Sequence, residues 1–267
     1  MNNFALGRYI PLDSVIHRMD PRAKIGAMLI MLISIFIPTG FVGYLIIGLT
    51  VAGVVLLAKL SFNFIWKAMK PMLFMLFFLL LINIFVVKTG FVLISIGSFA
   101  IYSDAVFQTV FIAVRLMLMI MITTVLTATT KPLELTLGIE DLLKPFTVIK
   151  VPAHEIAMMI SIALRFIPTL IEETQRIMKA QASRGVDLQE GTLKEKIMAI
   201  LSLIVPLFVS AFQRAEELAN AMEARGYAPG EKRTRYKQLK MKMPDYLLLL
   251  GALLICGLML VLWLKVL

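Results

Sequence analysis

Two arginine–glycine pairs, Arg184-Gly185 and Arg225-Gly226, carry the clearest chemical signal in this sequence. Each closes a block of small residues: Ala182-Ser183-Arg184-Gly185 in the first and Ala224-Arg225-Gly226 in the second. The flanks repeat as well. Pro168 is followed by Gln175-Arg176, and Pro206 by Gln213-Arg214, at identical offsets. Ala180-x-x-Ser183-Arg184-Gly185 then aligns with Ala221-x-x-Ala224-Arg225-Gly226, the second copy holding three extra residues between the blocks. A glycine in the left-handed conformation ends helices, and an arginine just before it sits where the helix dipole favours a cation. Either pair alone reads as a well-capped helix end. Their repetition with shared flanks favours a second reading, a guanidinium fixed at a helix tip beside a glycine that lets another backbone approach. Such a tip suits an acidic groove on a partner.

The pairs require two long helices to present them, expected at about Ala153 to Ser183 and Leu193 to Arg225. Pro152 suits the first turn of the first helix. Thr192 with Glu195 is a capping box for the second. Pro168 and Pro206 are expected to kink them. Their interiors, Ile156 to Leu170 and Ile197 to Phe212, hold almost no charge, so these helices must lie against a membrane, a bundle or another protein. At about 1.5 Å per residue each is roughly 45–50 Å long. A shorter helix, Pro132 to Leu143, precedes them.

The rest of the chain is membrane-like. Of its 267 residues 60% are hydrophobic, against about 45–50% in a soluble domain, and mean hydropathy is +0.88. Spans are expected at Ile25–Ile37 (short for a bilayer), Phe41–Ala58, Pro71–Val87, Ala105–Ala128 and Tyr246–Leu264. Residues 59–70 read as an interfacial amphipathic helix. Residues 88–104 read as an outer hairpin or a re-entrant piece. With the N-terminus inside, segments 1–24, 59–70 and 129–245 carry 24 of the 27 Lys and Arg, which supports cytoplasmic placement of all three. The net charge of +10 then marks cytoplasmic faces rather than a nucleic-acid surface. The expected architecture is an all-α membrane protein of about five spans, with long cytoplasmic helices between the fourth and fifth. It divides into a membrane domain (1–128), a cytoplasmic helical region (129–243) and a last transmembrane helix (244–267).

Two charges stand apart on apolar helices. Arg115, in the fourth span, is expected to anchor to backbone carbonyls or to Asn83, or else to serve transport or contact another membrane subunit. Arg165 is expected to snorkel or to pair with a nearby acid. The basic run Lys232 to Lys242 reads as a stop before the last span and a contact for anionic lipid. Glu172-Glu173 and Glu216-Glu217 read as solvated faces.

Catalytic patterns are missing from the sequence. There is no phosphate loop and no dinucleotide fingerprint. His17 and His154 lack ligands at zinc spacing, and no nucleophile–base grouping is apparent. The single cysteine, Cys256, excludes an internal disulfide. An enzyme is not expected, nor a metal or cofactor bound by this chain.

The whole chain resembles the transmembrane T component of energy-coupling factor transporters, ATP-driven vitamin importers of prokaryotes. The resemblance rests on Gly7-Arg8-Tyr9-Ile10-Pro11 with His17-Arg18-Met19-Asp20-Pro21-Arg22, on Ala163-Leu164-Arg165-Phe166-Ile167-Pro168, and above all on the two Ala-Arg-Gly-type signatures. The first departs from the standard pattern by carrying Ser183. The resemblance implies two cytoplasmic ATPase subunits holding ATP and magnesium, and a small membrane subunit (the S component) that binds the vitamin. Each signature arginine, Arg184 and Arg225, would dock on one ATPase from a coupling helix. Other classes remain open from the residues: a self-sufficient permease or channel, a membrane adaptor, or a T component serving a metal-ion importer.

Overall fold

The structure, a computed structural model, describes residues 9–96, 99–145, 152–186, 192–228 and 239–266. They fall into two compact units, one of residues 7–153 and 239–267, the other of residues 154–238. The basic segment up to residue 238 and the Gly7-Arg8 pair lie outside the described residues.

The first unit holds α1 (Pro21–Phe36), α2 (Gly40–Leu57), α3 (Phe62–Val86), β1 (Val92–Ile96), β2 (Phe99–Tyr102), α4 (Ser103–Thr129), α5 (Pro132–Leu143) and α8 (Met243–Val266). Helix α1 starts as its sequence dictates. Asp20 accepts the Arg22 N–H from the N-cap position, and Pro21 occupies the first turn, where its missing donor is harmless. The helix packs against α8, α4 and α5, and α4 also receives α2 and α3. Gly26 permits the close approach of α8, since an added Cβ would lie 3.1 Å from Leu249. Ile35, Ile47, Leu118 and Met259 fill the resulting core. The outward faces stay apolar, with Phe74, Phe77, Phe78 and Phe85 exposed along α3, as hydrocarbon surroundings require.

One expectation changes here, and an open one is narrowed. The interfacial segment and the third span form one helix, because α3 runs through Pro71 without a break. One missing intrahelical bond, worth about 3 kcal/mol, is outweighed by 25 residues of helix packed along α4. Strands β1 and β2 pair antiparallel, Val92 facing Tyr102 and Ile96 facing Phe99, which favours the hairpin over the re-entrant reading. Six described helices are long and apolar enough to cross a membrane: α2, α3, α4, α8 and both long helices of the second unit. At 16 residues α1 is short of the about 20 a span needs.

The second unit holds α6 (Ala153–Ser183) and α7 (Leu193–Ala224), within one residue of the expected limits. The capping box at Thr192 and Glu195 is formed in both directions. Pro168 and Pro206 lie inside continuous helix.

Candidate functional site

Both arginine tips are built by the same backbone motif. In α6 the Val186 N–H bonds the Gln181 carbonyl at 3.1 Å, and the Gly185 N–H bonds Ala182 at 3.0 Å. In α7 the Tyr227 N–H bonds Met222 at 2.9 Å, and the Gly226 N–H bonds Glu223 at 2.8 Å. These are paired six-to-one and five-to-two bonds, with glycine in the left-handed position, at φ 80° for Gly185 and 72° for Gly226. The motif places Arg184 and Arg225 at the last half-helical position of their helices. Both side chains are exposed, and neither forms a salt bridge among the described residues. Among the described residues nothing lies within 4 Å of a Cβ added to either glycine, so the glycines serve backbone conformation. Ser183 departs from alanine at no structural cost, its hydroxyl donating to Lys179 O one turn back. Ala182 and Ala224 are exposed small residues beside the arginines. Gly226→Val puts a β-branched residue where φ is positive. It is expected to cost about 1–2 kcal/mol locally and to misdirect Arg225, read as lower thermal stability together with weaker partner retention.

Two contacts join α6 to α7. Gln181 Nε2 donates to Ser202 O at 3.2 Å. Arg214 meets Glu173 at 2.9 Å, with Arg176 at 3.9 Å from the same carboxylate. Residues 173–181 of α6 thus meet residues 202–214 of α7. Arg184 lies three residues beyond Gln181 and Arg225 eleven beyond Arg214, so each tip extends past the joined stretch.

The first contact also resolves a problem set by the sequence. Pro206 has no N–H, so the Ser202 carbonyl one turn earlier loses its helical donor, and Gln181 supplies the missing hydrogen bond. Gln181→Leu is expected to leave that carbonyl without its protein donor and to loosen the pair, with faster amide exchange on α7 around residue 202. Glu173 is correspondingly not a solvated acid, because its carboxylate is largely covered and paired. Glu216 and Glu217 are exposed as expected. Arg165 is exposed and pairs with no acid among the described residues.

In the first unit, Arg115 meets neither Asn83 nor a carbonyl. Its Nε and one terminal nitrogen donate to the Tyr44 hydroxyl at 3.1 and 2.9 Å, and its guanidinium lies 5.7 Å from the Phe36 ring centroid. Asn83 instead donates to Thr109 Oγ1 at 2.9 Å. Arg115 thus ties α4 to α2 and α1.

A polar knot at the start of α1 gathers residues that the sequence left scattered. Arg22 grips Asp20 with two hydrogen bonds of 3.1 and 3.0 Å and reaches Asp141 on α5 at 3.5 Å. The Asp20 N–H donates to Asp245 Oδ1 at 2.8 Å, fastening α8 to α1, while Asp245 Oδ2 accepts the Lys242 N–H. Lys24 Nζ donates to His17 O, Thr129 O and Thr130 Oγ1, which uses all three ammonium protons. Ahead of the helix, His17 Nε2 donates to Ile10 O at 3.1 Å and Nδ1 accepts from Ser14 Oγ at 2.7 Å. Burial pushes the His17 imidazole below its ordinary pKa, in keeping with that neutral tautomer. Ile10 N–H bonds Ala128 O, so the leading segment is pinned to the end of α4. The Asp-Pro pair at 20–21 signals a helix start; its partner Asp245, 225 positions on, has no local signature.

Among the described residues no group of three or more His, Cys, Asp or Glu is placed to hold a metal ion. The geometry offers exposed cationic tips and apolar helix faces, features suited to docking.

Comparison with known proteins agrees over nearly the whole chain. A family profile described as "Cobalt transport protein" (CbiQ) matches residues 13–236. The protein named energy-coupling factor transporter transmembrane protein EcfT from Bacillus subtilis (strain 168) is 47% identical over 239 residues, 90% of each chain. Its namesake from Macrococcus caseolyticus is 49% identical over 251 residues, 94% of each chain. The one from Lactococcus lactis subsp. cremoris is 43% identical over 266 residues, 100% of each chain.

Proposed function

This chain belongs to the family of energy-coupling factor transporter transmembrane proteins, and from that premise we propose that it is the non-catalytic coupling subunit of an ATP-driven micronutrient importer. Its partners are two cytoplasmic ATPase subunits, which hold ATP and magnesium, and a membrane subunit that binds the cargo. The N-terminus and the α6–α7 pair face the cytoplasm, where 24 of the 27 Lys and Arg fall in that topology. Arg184 docks in one ATPase and Arg225 in the other. Arg115 and Arg165 take no part in ATPase docking.

The observation that carries this reading is the repeated, separately capped arginine tip. Two exposed guanidinium groups in the same backbone setting, each past the stretch where α6 and α7 are joined, fit two similar partners. Arginine offers a planar fork for carboxylates or backbone carbonyls at such a joint. ATP binding draws the ATPases together and shifts the two tips. The α6–α7 pair transmits the shift through Gln181–Ser202 and Arg214–Glu173, and its apolar surface reorients the cargo-binding subunit. Pro168 and Pro206 are the places where the helices can bend.

The test is to purify the chain from its native membrane in mild detergent and identify what accompanies it. Two ATPase subunits and a small membrane protein are expected. Uptake of solute by liposomes holding this chain alone would contradict the assignment and favour a permease. The profile's description favours a second cargo, a cobalt ion. Parallel uptake assays with a vitamin and with cobalt on the same complex distinguish the two.

A further inference from the structure

We propose that the seam between α2 and α8 holds one anionic phospholipid, with an acyl chain in an apolar cleft and its phosphate at Lys59 and Lys242. Two cavities are lined by residues of α2 and α8. The first, about 230 Å³, is walled by α1, α2, α4 and α8, with Met31, Val51, Val54, Leu248, Gly251 and Ile255 in its lining. It exceeds the roughly 150 Å³ apolar cavity that accepts benzene. Its polar side chains are already engaged. Thr50 Oγ1 donates to Ile46 O, Thr129 Oγ1 to Val125 O, and Lys24 Nζ to three acceptors. Such walls leave nothing for a polar ligand to bond, and the helices that form them are apolar, so hydrocarbon is the fitting occupant.

The second cavity, about 610 Å³, lies where α2 ends and α8 begins, with Leu57, Lys59, Lys242 and Pro244 in its lining. Its other charges are committed. Asp13 and Arg18 neutralise each other through hydrogen bonds of 2.7 and 2.5 Å. The Asp245 oxygens accept backbone N–H groups of Asp20 and Lys242. The side chains of Lys59 and Lys242 are exposed, and neither is held in a salt bridge among the described residues.

Lys59 carries an independent sign of selection for its side chain. Helix α2 ends in the same motif as α6 and α7, Lys59 N–H bonding Leu56 O and Leu60 N–H bonding Val55 O. At the position where those helices have glycine, α2 has a lysine at φ 56°, the one described non-glycine residue with positive φ. Glycine would take that conformation without strain; what lysine adds is a cation at the mouth of the cleft. An apolar slot and a cationic pocket, both lined by α2 and α8, match the two ends of an anionic lipid. This inference is independent of the coupling role.

The purified full chain is placed in nanodiscs of equal phosphatidylglycerol and phosphatidylcholine, and retained lipid is counted by native mass spectrometry. One tightly held lipid is expected, with phosphatidylglycerol favoured about tenfold or more. Lys59→Gly combined with Lys242→Gln should bring that preference close to parity, about fivefold per lysine. Because Lys59→Gly relieves the left-handed strain, thermal stability should hold or rise, so unfolding cannot mimic the loss. Gly251→Leu, whose Cβ meets nothing within 4 Å, should fill the cleft and abolish retention of both lipids. Three results would overturn the proposal: no lipid retained by the parent chain, an unchanged preference in the double lysine variant, or unchanged retention in Gly251→Leu. Displacement of the lipid by inorganic phosphate, with phosphate binding indifferent to Gly251→Leu, would also overturn it and leave a phosphate site only.

Discussion

Replacing both Arg184 and Arg225 by alanine is expected to abolish ATP-driven uptake while the chain still inserts and folds. Both side chains are exposed and lack salt bridges among the described residues, so their removal leaves no buried charge behind. The capping bonds at both tips are backbone bonds and survive the change. What disappears is a charge-assisted contact at each joint, and one such contact corresponds to about tenfold to a hundredfold in affinity. Either single variant should therefore lower uptake steeply, and the pair should remove it. The measurement is vitamin uptake by cells or proteoliposomes containing the full complex, with membrane content of the chain checked by immunoblot. Normal uptake by the double variant would refute the docking role.

The largest effect on stability is expected at Arg22. Its partner Asp20 has a side chain only 2% exposed, and the second partner Asp141 is 11% exposed. Arg22→Ala leaves the covered Asp20 carboxylate without its cation, while Asp141 keeps Lys144. Removing one member of a buried ion pair costs about 3–5 kcal/mol, most of it from the stranded charge. The same carboxylates stand where α1, α5 and α8 meet, since the Asp20 N–H bonds Asp245. The variant should thus unfold several degrees lower in detergent and lose protection on α5 and α8 together. Arg22→Lys keeps the charge but not the two-pronged grip on Asp20 and should recover part of the loss. Arg18→Ala is the control. That arginine pairs with Asp13 in the open, both side chains more than 70% exposed, and its loss should pass unnoticed.

What the sequence made legible was what local rules govern. Glycine after arginine, threonine three residues before glutamate, and proline in a first turn each set a helix end within a few residues. The ends of α6 and α7 follow them to within one position. Apolar runs likewise announced the multi-pass membrane class, while the stretch before α4 left a hairpin and a re-entrant piece both open. Long-range partners were not legible. A lone arginine in an apolar span announces that it needs a partner, but nothing in the local sequence separates Tyr44 from Asn83 as that partner. Asp245 reads as an N-terminal helix residue, and its bond to the backbone of Asp20 depends on α8 packing against α1. Glu173 looked solvated because its partner Arg214 is 41 positions away. Pro71 looked like a boundary because local preference favours a break there, and packing on α4 overrode it.

The most direct test of two tips gripping two ATPases is cross-linking in the assembled complex. Cys256→Ala removes the native thiol, and Ser183→Cys or Ala224→Cys then places one thiol beside each arginine while leaving the arginine in place. Both substituted positions are exposed. A short thiol-to-amine cross-linker should join each tip to an ATPase subunit, and the yield at both sites should change when ATP closes the pair. If either tip gave no ATPase adduct, or reacted in intact cells with a reagent that cannot cross the membrane, the central claim would be contradicted.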